Sequence, residues 1–298
     1  MSIEIRPFER RDRDQLTELV NRHVAAVVPG VALSVNAVLS QLEREPGEFI
    51  VDPWVAERRC LVAVDHAALV AAALVHRFRG DPDVGPDFRN AGDIRWLVCT
   101  RPACDAGATV LQACLDLFDQ WQVERRYADC RLPVLACYGV PNTLPHVRAL
   151  YVAAGFTGPA RTEDVYVATC NDLLGRRPDG IEVSRTMGLF GARLALVRGA
   201  EELGFIDVGE LDADLARSAT AVTWTDVGNL HVAQGQDRAI VVPALYAAAA
   251  EWLVLGGVDR ILEYVADDFD VPGYREELLA LGFTRLVTNE VGWELPRP

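Results

Sequence analysis

Residues 3–8, Ile3-Glu4-Ile5-Arg6-Pro7-Phe8, alternate apolar and polar side chains, the period of a half-buried strand. From 13 to 27 the period becomes helical, with Leu16, Leu19, Val20 and His23 toward one face, and Pro29-Gly30 stops it. A second helix is predicted over 34–45. Apolar runs at 60–64 and 68–75 flank the polar pair Asp65-His66 and predict a hairpin. A strand at 93–98 and a helix at 108–122, striped by Leu111, Leu115 and Phe118, come next. A mostly apolar, strand-like stretch at 127–138, a helix at 146–154 and a strand at 164–169 complete this half.

The stretch 171–180 is polar and holds Gly175, Pro178 and Gly180, the composition of a linker. The pattern then restarts. A strand is predicted at 181–183, with no helices after it, and then a hairpin of 194–197 with 204–208 around 199–202. A strand at 229–232, an Ala-rich helix at 241–255, a strand at 261–265, a helix at 274–281 and a last strand at 291–294 follow. One phrase marks the repeat. Ala149-Leu150-Tyr151 leads to Gly155-Phe156, and Glu277-Leu278-Leu279 leads to Gly282-Phe283, a spacing of 283 − 156 = 127 residues. That period suits a small domain and is too long for a solenoid. The expected division is an N-terminal domain over 1–172, a linker at 173–180 and a shorter C-terminal domain over 181–298.

Composition narrows the function classes. The formal net charge of −14, with arginine as the only Lys/Arg-class residue, speaks against nucleic acid or an anionic membrane as a partner. No run reads as a bilayer-spanning segment, and the start of the chain lacks a signal-peptide layout, so a cytoplasmic location is expected. The seven cysteines lie between Cys60 and Cys170 without CxxC spacing. They read as small buried residues, not as disulfides or a metal site.

The repeated phrase resembles a signature of the GNAT acyltransferase superfamily. So does the strand–loop–helix Trp96-Leu97-Val98-Cys99-Thr100…Ala106-Gly107-Ala108-Thr109. The resemblance covers nearly the whole chain as a tandem pair. It implies an α/β (α+β) fold of two GNAT-like domains, each a mixed, mainly antiparallel twisted sheet flanked by helices. The second would lack the first two helices.

The resemblance also implies an acyl-CoA site. Family members hold the donor's pyrophosphate at a helix N-terminus, where unpaired amides and the helix dipole favour an anion. The matching loop here is Ala103-Cys104-Asp105-Ala106-Gly107-Ala108, which lacks the family's leading Gln/Arg and its first Gly. Donor contacts are expected from Val98, Cys99, Thr100, Cys104, Asp105, Ala106, Gly107, Ala108 and Asn142, with acetyl-CoA, or nothing, as the bound group. In the second copy Ile240, Val242 and Pro243 stand where small residues belong, and the expectation there is a blocked, non-catalytic loop.

The matching residue for the family's tyrosine, which protonates the departing thiolate, is Tyr151; the second copy has Leu278. Asp93 is the leading candidate for the base, with His66 and His146 behind it. A thiolate nucleophile among Cys99, Cys104 and Cys137 lacks a readable partner. Two readings follow. The first is an N-acyltransferase whose N-terminal domain moves an acyl group, acetyl in the simplest case, to a small-molecule or peptide amine by direct attack. The second is a non-catalytic GNAT-like binding or interaction module. A homodimer is compatible with either.

Overall fold

The computed structural model describes residues 3–43, 53–175, 178–189, 191–209, 223–269 and 271–296. They form two compact units, Met1–Glu163 with Val287–Pro298, and Asp164–Leu286.

The first unit begins with β1 (Glu4–Pro7), α1 (Arg13–Val27) and α2 (Val35–Leu42). Helix α1 buries Leu16, Leu19, Val20, His23, Val24 and Val27, the stripe its periodicity predicts. Gly30 ends that segment at φ +86°. Ser34 caps α2, its hydroxyl accepting from the Ala37 amide at 3.1 Å. The predicted extension of α2 to residue 45 runs outside the described residues.

Strands β2 (Val55–Asp65) and β3 (Ala68–Phe78) are the predicted hairpin, turned by His66 and Ala67 at φ 45° and 67°. Then come β4 (Ala91–Cys99), α3 (Cys104–Gln120), β5 (Arg125–Ala128), β6 (Val140–Pro141), α4 (Pro145–Ala153) and β7 (Arg161–Thr169). The apolar run at 127–138 is not a strand beyond Ala128. Cys130 and Ala136 take φ 49° and 65°, which no ladder tolerates, and the run is apolar because the loop itself is buried.

The second unit holds β8 (Glu182–Gly188), β9 (Gly191–Arg198), β10 (Glu201–Val208), β11 (Trp224–Val232), α5 (Arg238–Leu255), β12 (Arg260–Ala266) and α6 (Tyr274–Ala280); β13 (Thr284–Val291) starts in it and passes into the first unit at Val287. Between β8 and β9 there are two residues, so no helix fits where α1 and α2 stand in the first unit. The strands lie in the order β7-β12-β11-β10-β9-β8. Asp207 on β10 is fully buried. It is held by a two-pronged pair with Arg193, at 2.7 and 2.9 Å. Helix α5 is long and apolar enough to cross a membrane. More than half of its length is buried inside the unit, as in the core helix of a globular domain.

The first unit's sheet runs β1-β2-β3-β4-β5-β14, where β14 is Trp293–Glu294. Strand β14 pairs antiparallel with β5, Trp293 opposite Ala128. The units therefore do not divide at 173–180: residues 164–175 already belong to the second, and 287–298 belong to the first. The closing strands change places, which local periodicity does not encode.

Candidate functional site at the parting strands

In the first unit β4 and β5 pair in parallel from Ala91↔Arg125 to Ile94↔Ala128 and then part. A bulge sits at this point. Leu74 faces Trp96 and Val75 faces Ile94, leaving Arg95 as the extra residue on β4. The gap is filled by the chain itself. The Asp129 amide donates to Ile94 O at 3.2 Å and the Arg131 amide to Arg95 O at 2.5 Å. The Leu97 amide donates to the Cys130 sulfur, whose proton goes to the Tyr151 oxygen at 3.2 Å. The Cys99 amide donates to His23 Nε2 at 3.3 Å, and His146 Nε2–H donates to Cys99 O at 3.1 Å. His23 gives its Nδ1 proton to Leu19 O at 3.0 Å, which fixes a neutral tautomer, and burial lowers its pKa to about 4. The β4 edge that a thioester arm would line is thus already hydrogen-bonded at Leu97 and Cys99.

What remains is a cleft of about 240 Å³ at the C-terminal end of β4, lined by Arg22, His23, Thr100, Arg101, Thr143 and His146 among others. Val98 and Cys99 are buried in the strand. Ala106 and Gly107 are buried too. A Cβ on Gly107 would lie 2.8 Å from Leu150 Cδ1 and 2.9 Å from Cys99 Sγ, so the small residues serve the close approach of α3 to its neighbours. Asp105 and Ala108 are exposed, and Cys104 is partly so. Asp105 does not cap α3, and Ala103 before the helix makes no side-chain cap either. The α3 terminus has no side-chain cap, while the β4 edge beyond it is already hydrogen-bonded.

Three further expectations are corrected. Tyr151 is fully buried between Phe156 and Trp293, its phenol pushed to higher pKa by burial, and it does not reach the cleft. Asp93 is not a solvated base: it is 2 % exposed and accepts from the Asp129 amide at 3.2 Å, tying β4 to the loop that fills the gap. Asn142 exchanges hydrogen bonds with Thr288, its backbone amide donating at 2.9 Å and its Oδ1 accepting at 3.3 Å, so it anchors β13. His66 sits exposed at the hairpin tip. Burial raises the thiol pKa of Cys99 and of Cys137, which removes both as ready thiolates. Among the described residues no group of three or more His, Cys, Asp or Glu is placed to hold a metal ion.

The second unit has the same geometry with a different filling. Strands β11 and β12 pair in parallel from Trp224↔Arg260 to Asp226↔Leu262 and then part. Asp207 faces Asn229 and Val208 faces Val227, leaving Gly228 as the bulged residue. A cleft of about 300 Å³ opens there, lined by Val227, Gly228, Asn229, Leu230, Arg238, Glu263, Tyr264, Phe269, Val271 and Tyr274.

Glu263 is the residue the sequence reading missed. It interrupts the apolar run Ile261-Leu262-Glu263-Tyr264-Val265, and that interruption was the available signal. It is 7 % exposed. Tyr246 donates to its Oε2 at 2.6 Å, the Tyr246 and Tyr274 hydroxyls lie 2.9 Å apart, and Tyr274 also hydrogen-bonds the carboxyl. Burial outweighs these bonds and lifts the carboxyl pKa to about 8.

In the first turns of α5 Ile240 is exposed, while Val241 and Val242 enter the core. Asp237 caps the helix, its Oδ1 accepting from the Ala239 amide at 3.0 Å. Arg238 stands beside it, bonded to Glu277 at 3.0 Å and lying over the Tyr274 ring.

No family model matches this sequence, and no curated protein does. Solved structures do match. A tandem GNAT protein from the clavulanic acid biosynthesis pathway is 14 % identical over all of both chains, with a TM-score of 0.62. A GCN5-related N-acetyltransferase from Sphaerobacter thermophilus is 12 % identical over 98 % of this chain and 94 % of its own, at 0.59. The glucosamine N-acetyltransferase region of a fungal multi-domain GH3 β-N-acetylglucosaminidase is 14 % identical over 98 % of this chain and 38 % of its own, at 0.61. The repeated phrase, the two parting strand pairs and these full-length matches agree: the chain has the tandem GNAT fold, two GCN5-related N-acetyltransferase-like units in one polypeptide.

Proposed function

We propose that the protein is an acyl-CoA-dependent N-acyltransferase that moves an acyl group to an amine by direct attack, with acetyl-CoA as the simplest donor. The donor thioester lies in the C-terminal cleft, not in the N-terminal one that the sequence favours. One observation carries this reading. Where β11 and β12 part, a cleft of about 300 Å³ opens beside the bulged Gly228, whereas the first unit's parting is closed by Cys130, His23 and His146. A glycine at the bulge lets a thioester approach the backbone, and a bulged amide aimed at the carbonyl oxygen would polarise it. Arg238 lines this cleft, bonded to Glu277, and in this reading it is the cation that meets the donor's phosphates. The likeness of the fold to N-acetyltransferases supports the same chemistry. The acceptor is a small-molecule or peptide amine, which the net charge of −14 suits, and the cytoplasm supplies the donor.

A second reading, a ligand-binding module without turnover, is favoured by the Asp237 cap, which sets a carboxylate where a pyrophosphate would sit. Calorimetry with acetyl-CoA separates the two. Wild-type protein and Tyr151→Phe should bind alike, and Gly228→Leu should lose at least tenfold in affinity. Binding without acetylation of any amine in a broad panel would favour the module. No heat at millimolar acetyl-CoA would remove the donor site.

A further inference from the structure

Two of the seven cysteines meet where β4 hands over to α3. Cys99 ends the strand and Cys104 opens the helix. The Cys99 thiol donates to the Cys104 sulfur, and the Cys104 thiol donates to Arg101 O at 3.0 Å. Contacts with the helix place the pair from a second side. A Cβ on Gly107, one turn beyond Cys104 on the same face of α3, would lie 2.9 Å from Cys99 Sγ and 3.2 Å from Cys99 Cβ. The spacing from Cys99 to Cys104 carries no motif; the turn over Arg101–Ala103 brings the sulfurs together.

Access separates this pair from the other cysteines. Cys104 is partly exposed, and the first unit's cleft reaches Cys99. Cys60, Cys114, Cys130, Cys137 and Cys170 are buried. Cys60 and Cys114 are neighbours as well, but neither offers the exposed sulfur that starts an oxidation.

We propose that Cys99 and Cys104 form an oxidation site, which a peroxide closes to a disulfide between the end of β4 and the first turn of α3. Cys104 takes the first step: its S–H and hydrogen peroxide give the sulfenic acid S–OH and one water. The Cys99 sulfur then attacks Cys104. The S–S bond forms as the S–O bond breaks, and the hydroxyl leaves with the Cys99 proton as a second water. The two thiols lose two electrons and two protons in all, and the peroxide takes up both. The Cys99 proton already points at the sulfur that loses the hydroxyl. Burial holds the Cys99 thiol pKa up at about 12, so this thiol does not start the reaction. The new bond takes the Cys104 sulfur off Arg101 O and pins the Arg101–Ala103 turn. Thr100 and Arg101 line the first unit's cleft, so oxidation resets its mouth. Short-lived disulfides in reducing compartments serve as sensors in this way. Neither step draws on the donor site of the second unit.

The test exposes the reduced full-length protein to hydrogen peroxide, alkylates the free thiols, then unfolds the chain and cuts it before aspartate. Cleavage before Asp93 and Asp105 releases 93–104, which holds these two cysteines and no other. The expected product is this peptide without alkyl groups and two hydrogens lighter than its dithiol form. It should appear about tenfold or more faster than thiol is lost at the other cysteines, and dithiothreitol should return both thiols. Cys99→Ser should leave Cys104 as a sulfenic acid that dimedone labels, and Cys104→Ser should leave Cys99 reduced. Both thiols alkylated after peroxide, a Cys104 sulfinic acid beside a reduced Cys99, or a bond from either to another cysteine would overturn the proposal. An equal rate of closure in urea-unfolded protein would overturn it too, because the fold would then play no part.

Discussion

The Cys130 sulfur receives the Leu97 amide and gives its proton to Tyr151, so one small side chain uses up two groups that a thioester would need. Tyr151 was legible in the sequence as a position. Its surroundings were not, because a buried loop and a strand share the same apolar composition at 129–139. Tyr151→Phe removes one buried hydrogen bond and should lower stability by about 1 kcal/mol, read by urea unfolding, without changing acetyl-CoA affinity.

Glu263 was illegible for the opposite reason: one acid in an apolar strand shows no period, and only its two tyrosines, 17 residues before it and 11 residues after it, define its role. Its folded pKa lies above its unfolded value, so the folded state binds the extra proton. Stability is therefore greatest near and below pH 4.5 as far as this group goes, falls as pH rises toward 8, and levels off above it. Glu263→Gln should flatten that fall in a series of chemical denaturations from pH 5 to pH 9.

At the scale of elements, the turn after the filling loop has a strict steric demand. Gly139 has φ +66°, and a Cβ there would lie 2.7 Å from the Glu290 backbone oxygen. Backbone atoms cannot step aside as a flexible side chain does. Gly139→Ala should cost about 2–3 kcal/mol through left-handed strain and overpacking, visible as a lower melting temperature, with donor affinity unchanged. Helices α1 and α3 were readable because their periods match one buried face, and the β2–β3 hairpin because two apolar runs flank the polar pair Asp65-His66. Strand β13 was not: over Thr284–Val291 only Val287 and Asn289 are buried, too short a run of alternation to stand out.

At the scale of the whole molecule, the repeated Gly-Phe phrase was enough to announce two units, and their boundaries were hidden because each closing strand lies in the other unit. Trp293 shows the consequence. It is 1 % exposed on β14, stacks near Tyr151, and its Nε1–H donates to Glu290 O at 3.1 Å. Trp293→Ala should cost about 3–5 kcal/mol, and hydrogen exchange should show the loss in β5 and α4, elements far from it in sequence. A loss confined to residues near 293 would contradict the exchange of closing strands.

Hydrogen exchange with and without saturating acetyl-CoA, followed by peptide mass spectrometry, tests the central claim most directly. Slowed exchange over 227–230 and 238–242, with 95–99 and 129–139 unchanged, is the expected result. Slowed exchange at 97–108 alone would return the donor to the first unit and contradict the account.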